Sequence, residues 1–229
     1  MTAPTPTMAE ASEPPSMAAE PSVHHPLFAR LYARMSAKES PEILEHRRRL
    51  LAGLFGRVIE LGAGSGVNFN HYPPEVDEVV AVEPEPYLRA RAEDAARNAS
   101  ARVTVIEGTA DQLPAANESC DAAVASLVLC SVPDQERALA ELRRVLRPGG
   151  ELRFYEHVRS HRAGIARSQE AVDRLFWPRA FGNCHTARDT PTAIERAGFV
   201  IEQQERLWAP PCPLAVPVGP HALGVARRT

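Results

Sequence analysis

The sequence predicts an α/β protein with one mostly parallel sheet, helices on both of its faces and an antiparallel hairpin at one edge. Apolar segments of strand length alternate along the chain with helical segments, which is typical of β-α-β units with right-handed crossovers. The last two strand-like segments have no helix between them, and this predicts the hairpin. A chain of 229 residues with 44% hydrophobic residues suits one globular domain, which we place over residues 25–229.

The N-terminal part is expected to contain a tail and two cap helices. Residues 1–24 are rich in Pro, Ala, Ser and Thr, a composition that buries too little apolar surface to offset ordering entropy, so we predict disorder. The cap helices are predicted within residues 26–54, where PLFARLYARMSAK has helical periodicity. Ser40 followed by Pro41 is typical of an N-cap and a first helical residue. The HRRR run from His46 is interpreted as a solvated helix face.

Strands and helices then follow in a regular order. The predicted strands are RVIEL, DEVVAVE, RVTVIEG, CDAAVASLVL, ELRFYEHV, FVIEQQERLW and HALGVARR. The predicted helices are YLRARAEDAARNA, then DQERALAELRRVL with Asp134 as its cap, then DTPTAIERAG. The fourth strand is almost continuously apolar, as expected for a strand that is buried on both faces. A substrate-side insertion is expected over residues 159–188.

Composition argues against several classes of function. The net charge is −3 and the pI is near 6.3, so no nucleic-acid partner is expected. No apolar run reaches the roughly 20 residues that span a bilayer, and the first residues lack the basic and apolar parts of a secretory signal. The four cysteines form no C-x-x-C pair, so their spacing supports neither a metal site nor a disulfide framework. A cytoplasmic protein with no membrane partner is the expectation.

A glycine cluster between the first strand and the next segment carries the first functional signal. Gly62, Gly64 and Gly66 let the backbone approach a ligand at the carboxyl end of the strand. A dinucleotide fingerprint would need a third glycine where Val67 stands. Glu60, just ahead of the glycines, would repel a pyrophosphate but would attract a cationic ligand, directly or through a water.

A second carboxylate completes the pattern. Glu83 ends the second strand about 20 residues past the glycine loop, where an acidic side chain typically accepts hydrogen bonds from the ribose hydroxyls. A ribose clamp combined with negative charge in place of a phosphate cradle fits S-adenosylmethionine, which has a ribose, a sulfonium and an ammonium. We therefore predict that cofactor.

Several motifs together resemble one enzyme family. VIELGAGSG, VVAVEPEP, EGTADQLP, SCDAAVASLVLCSVPDQERALAELRRVLRPGG and FYEHV occur in order over residues 57 to about 158. This set is similar to class I S-adenosylmethionine-dependent methyltransferases, whose fold is Rossmann-like. NFNHYP, LVLCSVPDQER, YEHV and the Trp, Cys and RDT that follow resemble the small-molecule thiol S-methyltransferases.

The resemblance implies a set of cofactor contacts. The methionine part would meet the first strand and the glycine loop, the ribose would meet Glu83, and the adenine would meet the loops after the second and third strands. Two residues after the fourth strand would face the cofactor near its sulfur. The implied residues are Glu60, Gly62, Ala63, Gly64, Glu83, Pro84, Thr109, Ala110, Ser126 and Leu127.

Candidates for a general base follow from position. Methyl transfer to a thiol needs little beyond alignment and a larger thiolate fraction. YEHV ends the fifth strand, so either Glu156 or His157, but not both, should face the cleft. His185 is a further candidate in the loop NCHTARDT, whose Asp189 is predicted to be an N-cap. Cys130 is interpreted as a small buried hydrophobe.

An apolar acceptor pocket is expected under a lid formed by the cap helices and the insertion. The predicted substrate-binding residues are Phe28, Tyr32, Met35, Trp177, Phe181 and Arg188. The favoured function is methyl transfer to the thiol of a small apolar molecule, for example a secondary-metabolite dithiol. Methylation of oxygen, nitrogen or carbon, and a non-catalytic S-adenosylmethionine-binding protein, remain as alternatives.

Overall fold

The computed structural model describes residues 26–209 and 216–229. The predicted disordered tail and the middle of the proline-rich loop, with Cys212, lie outside these residues. The strands are β1 Gly56–Leu61, β2 Val76–Val82, β3 Val103–Ile106, β4 Cys120–Ser126, β5 Leu146–His157, β6 Phe199–Trp208 and β7 Pro220–Arg228. The helices are α1 Pro26–Ser36, α2 Pro41–Leu51, α3 Pro86–Ala96, α4 Gln135–Val145, α5 Ala163–Leu175, α6 Trp177–Ala180 and α7 Thr190–Arg196, with a 3₁₀ turn at Phe69–His71.

The seven strands form one sheet in the order β3-β2-β1-β4-β5-β7-β6. The first five strands pair in parallel, whereas β7 lies antiparallel to both β5 and β6. The predicted α/β class and antiparallel edge are therefore confirmed. The chain order reverses between β1 and β4, and in an open parallel sheet this switch point is where ligands bind.

Local sequence signals explain where the helices begin. Ser40 caps α2 by accepting a hydrogen bond from the Ile43 N–H at 3.4 Å, and Asp134 caps α4 by accepting one from the Arg137 N–H at 3.0 Å. Asp189 is the predicted cap of α7, and its carboxylate accepts from the Thr192 hydroxyl at 2.9 Å. These side chains satisfy N–H groups that the first helical turn leaves without a partner.

The insertion after β5 is helical, which periodicity had not predicted. Gln169 of α5 is fully buried and joins this insertion to the sheet. Its carbonyl accepts from the Ser160 N–H at 2.8 Å, and its amide donates to the carbonyls of Val158, Thr186 and Pro217 at 2.8 to 3.1 Å. Four hydrogen bonds on one buried side chain fix the insertion against the end of β5.

Apolar residues pack on both faces of the sheet and form two main clusters. One lies between the sheet and α4 with α7, and it includes Ile59, Leu142 and Phe154. The other packs α2 against the opposite face and includes Leu50 and Tyr155. Within residues 26–209 and 216–229, no helix has the length and apolar content needed to cross a membrane.

The prediction of a solvated HRRR face is wrong for its first half. His46 and Arg47 are buried, with Arg47 only 1% exposed, whereas Arg48 and Arg49 face the solvent. Arg47 is directed inward because it follows Ile43 by one helical turn and precedes Leu50 by another, on the face that packs on the sheet.

Candidate functional site

A cavity of about 520 Å³ lies at the carboxyl ends of β1, β2 and β4, at the switch point of the sheet. Its volume is in the range of small-molecule and cofactor sites. The cap helix α1 closes one side, and the loops after β1 to β4 supply the rest. Its lining residues include Phe28, Tyr32, Leu61, Gly62, Gly64, Glu83, Pro84, Thr109, Ala110, Asp111, Ser126, Leu127, Val128, Ser131, Asp134, Arg137 and Gly182.

The glycine loop needs its glycines for two separate reasons. Gly62 and Gly64 have φ values of 63° and 57°, a left-handed conformation that most side chains disfavour. A Cβ atom on Gly62 would also lie 2.4 Å from a methyl of Val128. The loop therefore brings bare backbone to the cavity wall. Ala63 is buried between these glycines and is not part of the lining.

Glu83 is placed for a diol ligand. Its carboxylate lines the cavity and is 5% exposed. One oxygen accepts from the Gly64 N–H at 2.7 Å, and the other accepts from the Glu85 N–H at 2.9 Å. Burial raises the pKa of Glu83, although these two N–H groups oppose the shift. Each oxygen keeps a further lone pair, so the oriented carboxylate can accept from two neighbouring hydroxyls.

The next part of the cavity is lined by Pro84, Thr109 and Ala110, as predicted. Sequence analysis missed Asp111, which lines the same wall. The Thr109 side chain hydrogen-bonds the Asp111 carboxylate and, with Arg137, holds the pKa of that carboxyl below its usual range. Asp111 is therefore an ionised acceptor at the end where the adenine is expected.

Ser126 and Leu127 line the cavity where β4 ends. Leu127 has φ 58°, so the strand stops there and the chain turns across the cavity mouth. Glu156 holds this turn: its carboxylate accepts from the N–H groups of Val128, Leu129 and Cys130 at 2.9 to 3.1 Å. Because Glu156 is fully buried and its oxygens are committed to the backbone, it is a positioning residue, and its assignment as a general base was wrong.

Glu60 is buried beneath the loop and is not part of the cavity lining. Its two oxygens accept from the Asn68 amide and the Tyr72 hydroxyl, both at 2.7 Å. Burial raises its pKa to about 7. Of the predicted contact with a cationic ligand, directly or through a water, the direct form is therefore wrong: Glu60 organises the layer below the glycine loop.

Arg47 extends this buried polar layer and was missed by sequence analysis. It forms a bidentate ion pair with the Glu39 carboxylate, with N–O distances of 2.6 and 2.5 Å. It also donates to the side-chain oxygen of Asn68 and to the Ser126 hydroxyl, both at 3.0 Å. It therefore connects the cap helices to the end of β4. Its position at i+4 from Ile43 on an apolar helix face was the signal that could have identified it.

His157 and His185, the other two candidate bases, do not line the cavity. His157 Nδ1 lies 3.5 Å from the Cys130 sulfur and 3.6 Å from the Cys184 sulfur. Burial alone would lower the pKa of His157, but the neighbouring Cys184 sulfur raises it above its usual value. The backbone of His185 donates to the Cys130 carbonyl at 2.8 Å, and burial lowers the pKa of its ring.

The predicted acceptor-side residues are only partly brought together. Phe28 and Tyr32 line the cavity, and Phe181 packs edge-on against Phe28 with ring centroids 6.5 Å apart. Trp177 stacks on Phe181 at 3.9 Å, one layer behind the wall. Met35 is 57% exposed, on the outer face of α1, so its assignment was wrong.

Arg188 supports the site from outside the cavity. Its guanidinium donates to the carbonyls of Leu129 and Val132 at 2.7 and 2.8 Å. These bonds fix the loop that crosses the cavity mouth, so Arg188 is a positioning residue rather than a substrate ligand.

Comparison with known proteins gives relatives that cover most of the chain. Residues 59–154 match a family described as a methyltransferase domain. Thiol S-methyltransferase TMT1B of Mus musculus is 37% identical over 207 residues, which cover 87% of this chain and 82% of that protein. Thiol S-methyltransferase TMT1A of Homo sapiens is 32% identical over 190 residues, covering 80% and 76% respectively.

Solved structures of lower identity share the fold. An S-adenosylmethionine-dependent methyltransferase from Mesorhizobium loti superimposes with a TM-score of 0.60 at 22% identity, covering 80% of this chain and 96% of that one. The [4+2]-cyclase SpnF superimposes with a TM-score of 0.63 at 22% identity, covering 82% and 80%. Since one of these is a cyclase, the fold alone does not define the reaction.

Proposed function

The chain belongs to the S-adenosylmethionine-dependent methyltransferases, and from this premise we propose that it methylates the thiol of a small, largely apolar molecule. The cofactor is S-adenosyl-L-methionine. One observation carries the thiol assignment: similarity to thiol S-methyltransferases extends over 207 residues and so includes the cap helices or insertion as well as the cofactor half.

The cavity fits this cofactor through its own residues. The carboxylate of Glu83, held by two backbone N–H groups, suits the ribose hydroxyls. The bare backbone at Gly62 and Gly64 suits the methionine part, because a side chain there would fill the space. Asp111 and Thr109 supply acceptors for the adenine end.

When bound, the cofactor would supply an electrophilic methyl group for a single displacement, in which the acceptor sulfur would bond to the methyl carbon as the bond from that carbon to the sulfonium breaks. The chain's contribution is alignment and exclusion of water. Phe28 and Tyr32 of α1 cover the cavity, and the loop fixed by Glu156 and Arg188 crosses its mouth. None of the three predicted bases lines the cavity, so the thiolate comes either from the fraction already ionised at neutral pH or from another group that lowers the pKa of the thiol.

A paired panel of acceptors tests the proposal. Each thiol is matched with the alcohol or phenol of the same carbon skeleton, and products are identified by mass spectrometry with S-adenosylmethionine in excess. We expect methyl thioethers and little or no methyl ether, because a thiol of pKa near 8.5 is far more often ionised at neutral pH than a phenol of pKa near 10. Methylation of the oxygen compounds alone would refute the thiol assignment and leave the cofactor assignment intact.

A further inference from the structure

Three side chains from separate parts of the chain meet behind the cavity wall. Cys130 follows β4, His157 ends β5, and Cys184 lies in the loop before α7. The two sulfurs are 3.9 Å apart, and His157 Nδ1 lies 3.5 and 3.6 Å from them. Both cysteines are buried and unpaired, and the three atoms form a compact triangle of potential metal ligands.

The dimensions of this triangle match one face of a tetrahedral zinc site. Zinc binds thiolate sulfur at about 2.3 Å and histidine nitrogen at about 2.0 to 2.1 Å, so tetrahedral angles place two sulfurs about 3.8 Å apart and each sulfur about 3.6 Å from the nitrogen. All three observed distances agree with these values to about 0.1 Å. We propose that Cys130, His157 and Cys184 bind one zinc ion, with the fourth position available to the thiol of the acceptor.

The surrounding hydrogen bonds fix the ligands before any metal binds. The Cys130 N–H donates to the Glu156 carboxylate at 3.1 Å, and the Cys130 carbonyl accepts from the His185 N–H at 2.8 Å. The Asn183 amide donates to the Ser131 carbonyl at 2.8 Å. These bonds join the loop of Cys130 to the loop of Cys184, and outer contacts of this kind are what hold metal ligands in place.

The indole of Trp177 lies beside the cluster. Its indole nitrogen is buried and meets no acceptor at ordinary hydrogen-bond geometry among the described residues. It lies close enough to the Cys184 sulfur to interact with it. A metal-bound thiolate retains negative charge and accepts such a donor, which would remove the cost of a buried N–H without a partner.

The ligand count indicates an open site. Over residues 26–209 and 216–229, no fourth His, Cys, Asp or Glu joins the cluster. Structural zinc sites are closed by four protein ligands, whereas catalytic sites have three and keep a position for water or substrate. Ser131, next to Cys130, and Gly182, two residues before Cys184, line the cavity, so the cluster lies directly behind this part of the cavity wall.

A zinc ion in this site would deprotonate the acceptor thiol. An acceptor R–SH replaces the water on zinc and binds as R–S⁻, and its proton leaves to solvent. After methyl transfer the sulfur is a neutral thioether, a weaker zinc ligand that water displaces. This role of the fourth position rests on the proposed thiol function, whereas the existence of the metal site does not.

Metal content tests the site. The wild-type protein, the Cys184→Ser variant and a Cys120→Ser control are dialysed against zinc and then against metal-free buffer with a phosphine reductant, and zinc is measured by mass spectrometry. Cys120 is also a buried free cysteine, but it lies at the other end of β4. We expect about one zinc per chain in the wild type and the control, and a loss of most of it in Cys184→Ser.

Two results would overturn the metal site: a wild-type protein that retains no zinc, or a Cys184→Ser variant that retains as much as Cys120→Ser. Circular dichroism of each variant shows whether a loss reflects unfolding, and Cys130→Ser provides a second ligand variant should Cys184→Ser fail to fold.

Cobalt in place of zinc tests the open position. Thiolate-to-cobalt charge-transfer bands report the ligand set, and addition of thiophenol should shift and intensify them if the fourth position is free. Cobalt bands that do not change on addition of thiophenol would overturn the open position. Loss of zinc in Cys212→Ser would also overturn it, because Cys212 would then be a fourth protein ligand. Thiol methylation by metal-free protein would contradict this inference alone, whereas a zinc-loaded protein that methylates only phenols would contradict the proposed function alone.

Discussion

Replacement of Glu83 by glutamine is expected to weaken cofactor binding without changing the shape of the site. The carboxylate is 5% exposed and each oxygen already accepts one backbone N–H. Glutamine removes the charge, and its NH₂ group must face a backbone N–H or a hydroxyl hydrogen. Hydrogen bonds to a charged group contribute about 1.5 to 3 kcal/mol, so the Kd for S-adenosylhomocysteine should rise about 10- to 100-fold.

Isothermal titration calorimetry with S-adenosylhomocysteine measures this change. Glu78→Gln is a matched control, because Glu78 lies on β2, five residues before Glu83, pairs with Arg57 at 2.7 Å near the surface and is not part of the cavity lining. The control should bind like the wild type, and thermal unfolding followed by circular dichroism should show both variants folded. An unchanged Kd for a folded Glu83→Gln variant would refute the ribose assignment.

Further predictions concern the buried polar layer and the glycine loop. Arg47→Met should lower the free energy of unfolding by about 3 to 5 kcal/mol, because it leaves buried partners unpaired. Arg48→Met, a change at an exposed neighbour, should lower it by about 0.5 kcal/mol or less. Equal effects of the two substitutions in urea unfolding would contradict the assigned burial of Arg47. The pKa of Glu60 is raised from 4.5 to about 7, so the folded protein keeps a proton that the unfolded chain loses between these pH values. The free energy of unfolding should therefore lose up to about 3 kcal/mol as pH rises from about 5 to 8, and Glu60→Gln should remove this loss; parallel pH curves for the two proteins would argue against it. Gly62→Ala should abolish most cofactor binding and destabilise the fold, because it adds a clash at 2.4 Å to a positive φ, whereas Gly149→Ala, with φ 78° and no atom near the new Cβ, should cost only about 1 to 2 kcal/mol. Similar unfolding curves for these two variants would show that the close approach at the loop is absent.

The parts of the fold that sequence predicted correctly depend on local signals. Strand and helix alternation, the caps Asp134 and Asp189, and the missing helix between the last two strands are all readable within short windows. The placement of Glu83 followed from its distance along the chain to the glycine loop, since adjacent parallel strands bring their carboxyl ends together.

What sequence did not predict depends on contacts between distant segments. Arg47 was interpreted by the charge of its run, although its helical spacing from Ile43 and Leu50 placed it on the buried face. Glu60 was assigned to the ligand, but Asn68 and Tyr72 of the following NFNHYP segment occupy its oxygens.

The cluster of Cys130, His157 and Cys184 was not predicted either. Successive members are 27 residues apart in the sequence. They come from one strand end and two loops, so no short spacing motif indicates them. Only the fold brings them together, because β4 and β5 are neighbours in the sheet and Asn183 joins the later loop to Ser131.

A crystal structure of the protein with S-adenosylhomocysteine tests the central claim most directly. The account predicts both ribose hydroxyls within hydrogen-bond distance of Glu83, the adenine beside Thr109 and Asp111, and the cofactor sulfur facing the turn at Leu127. A nucleoside bound elsewhere, or in this cavity with its ribose away from Glu83, would contradict it.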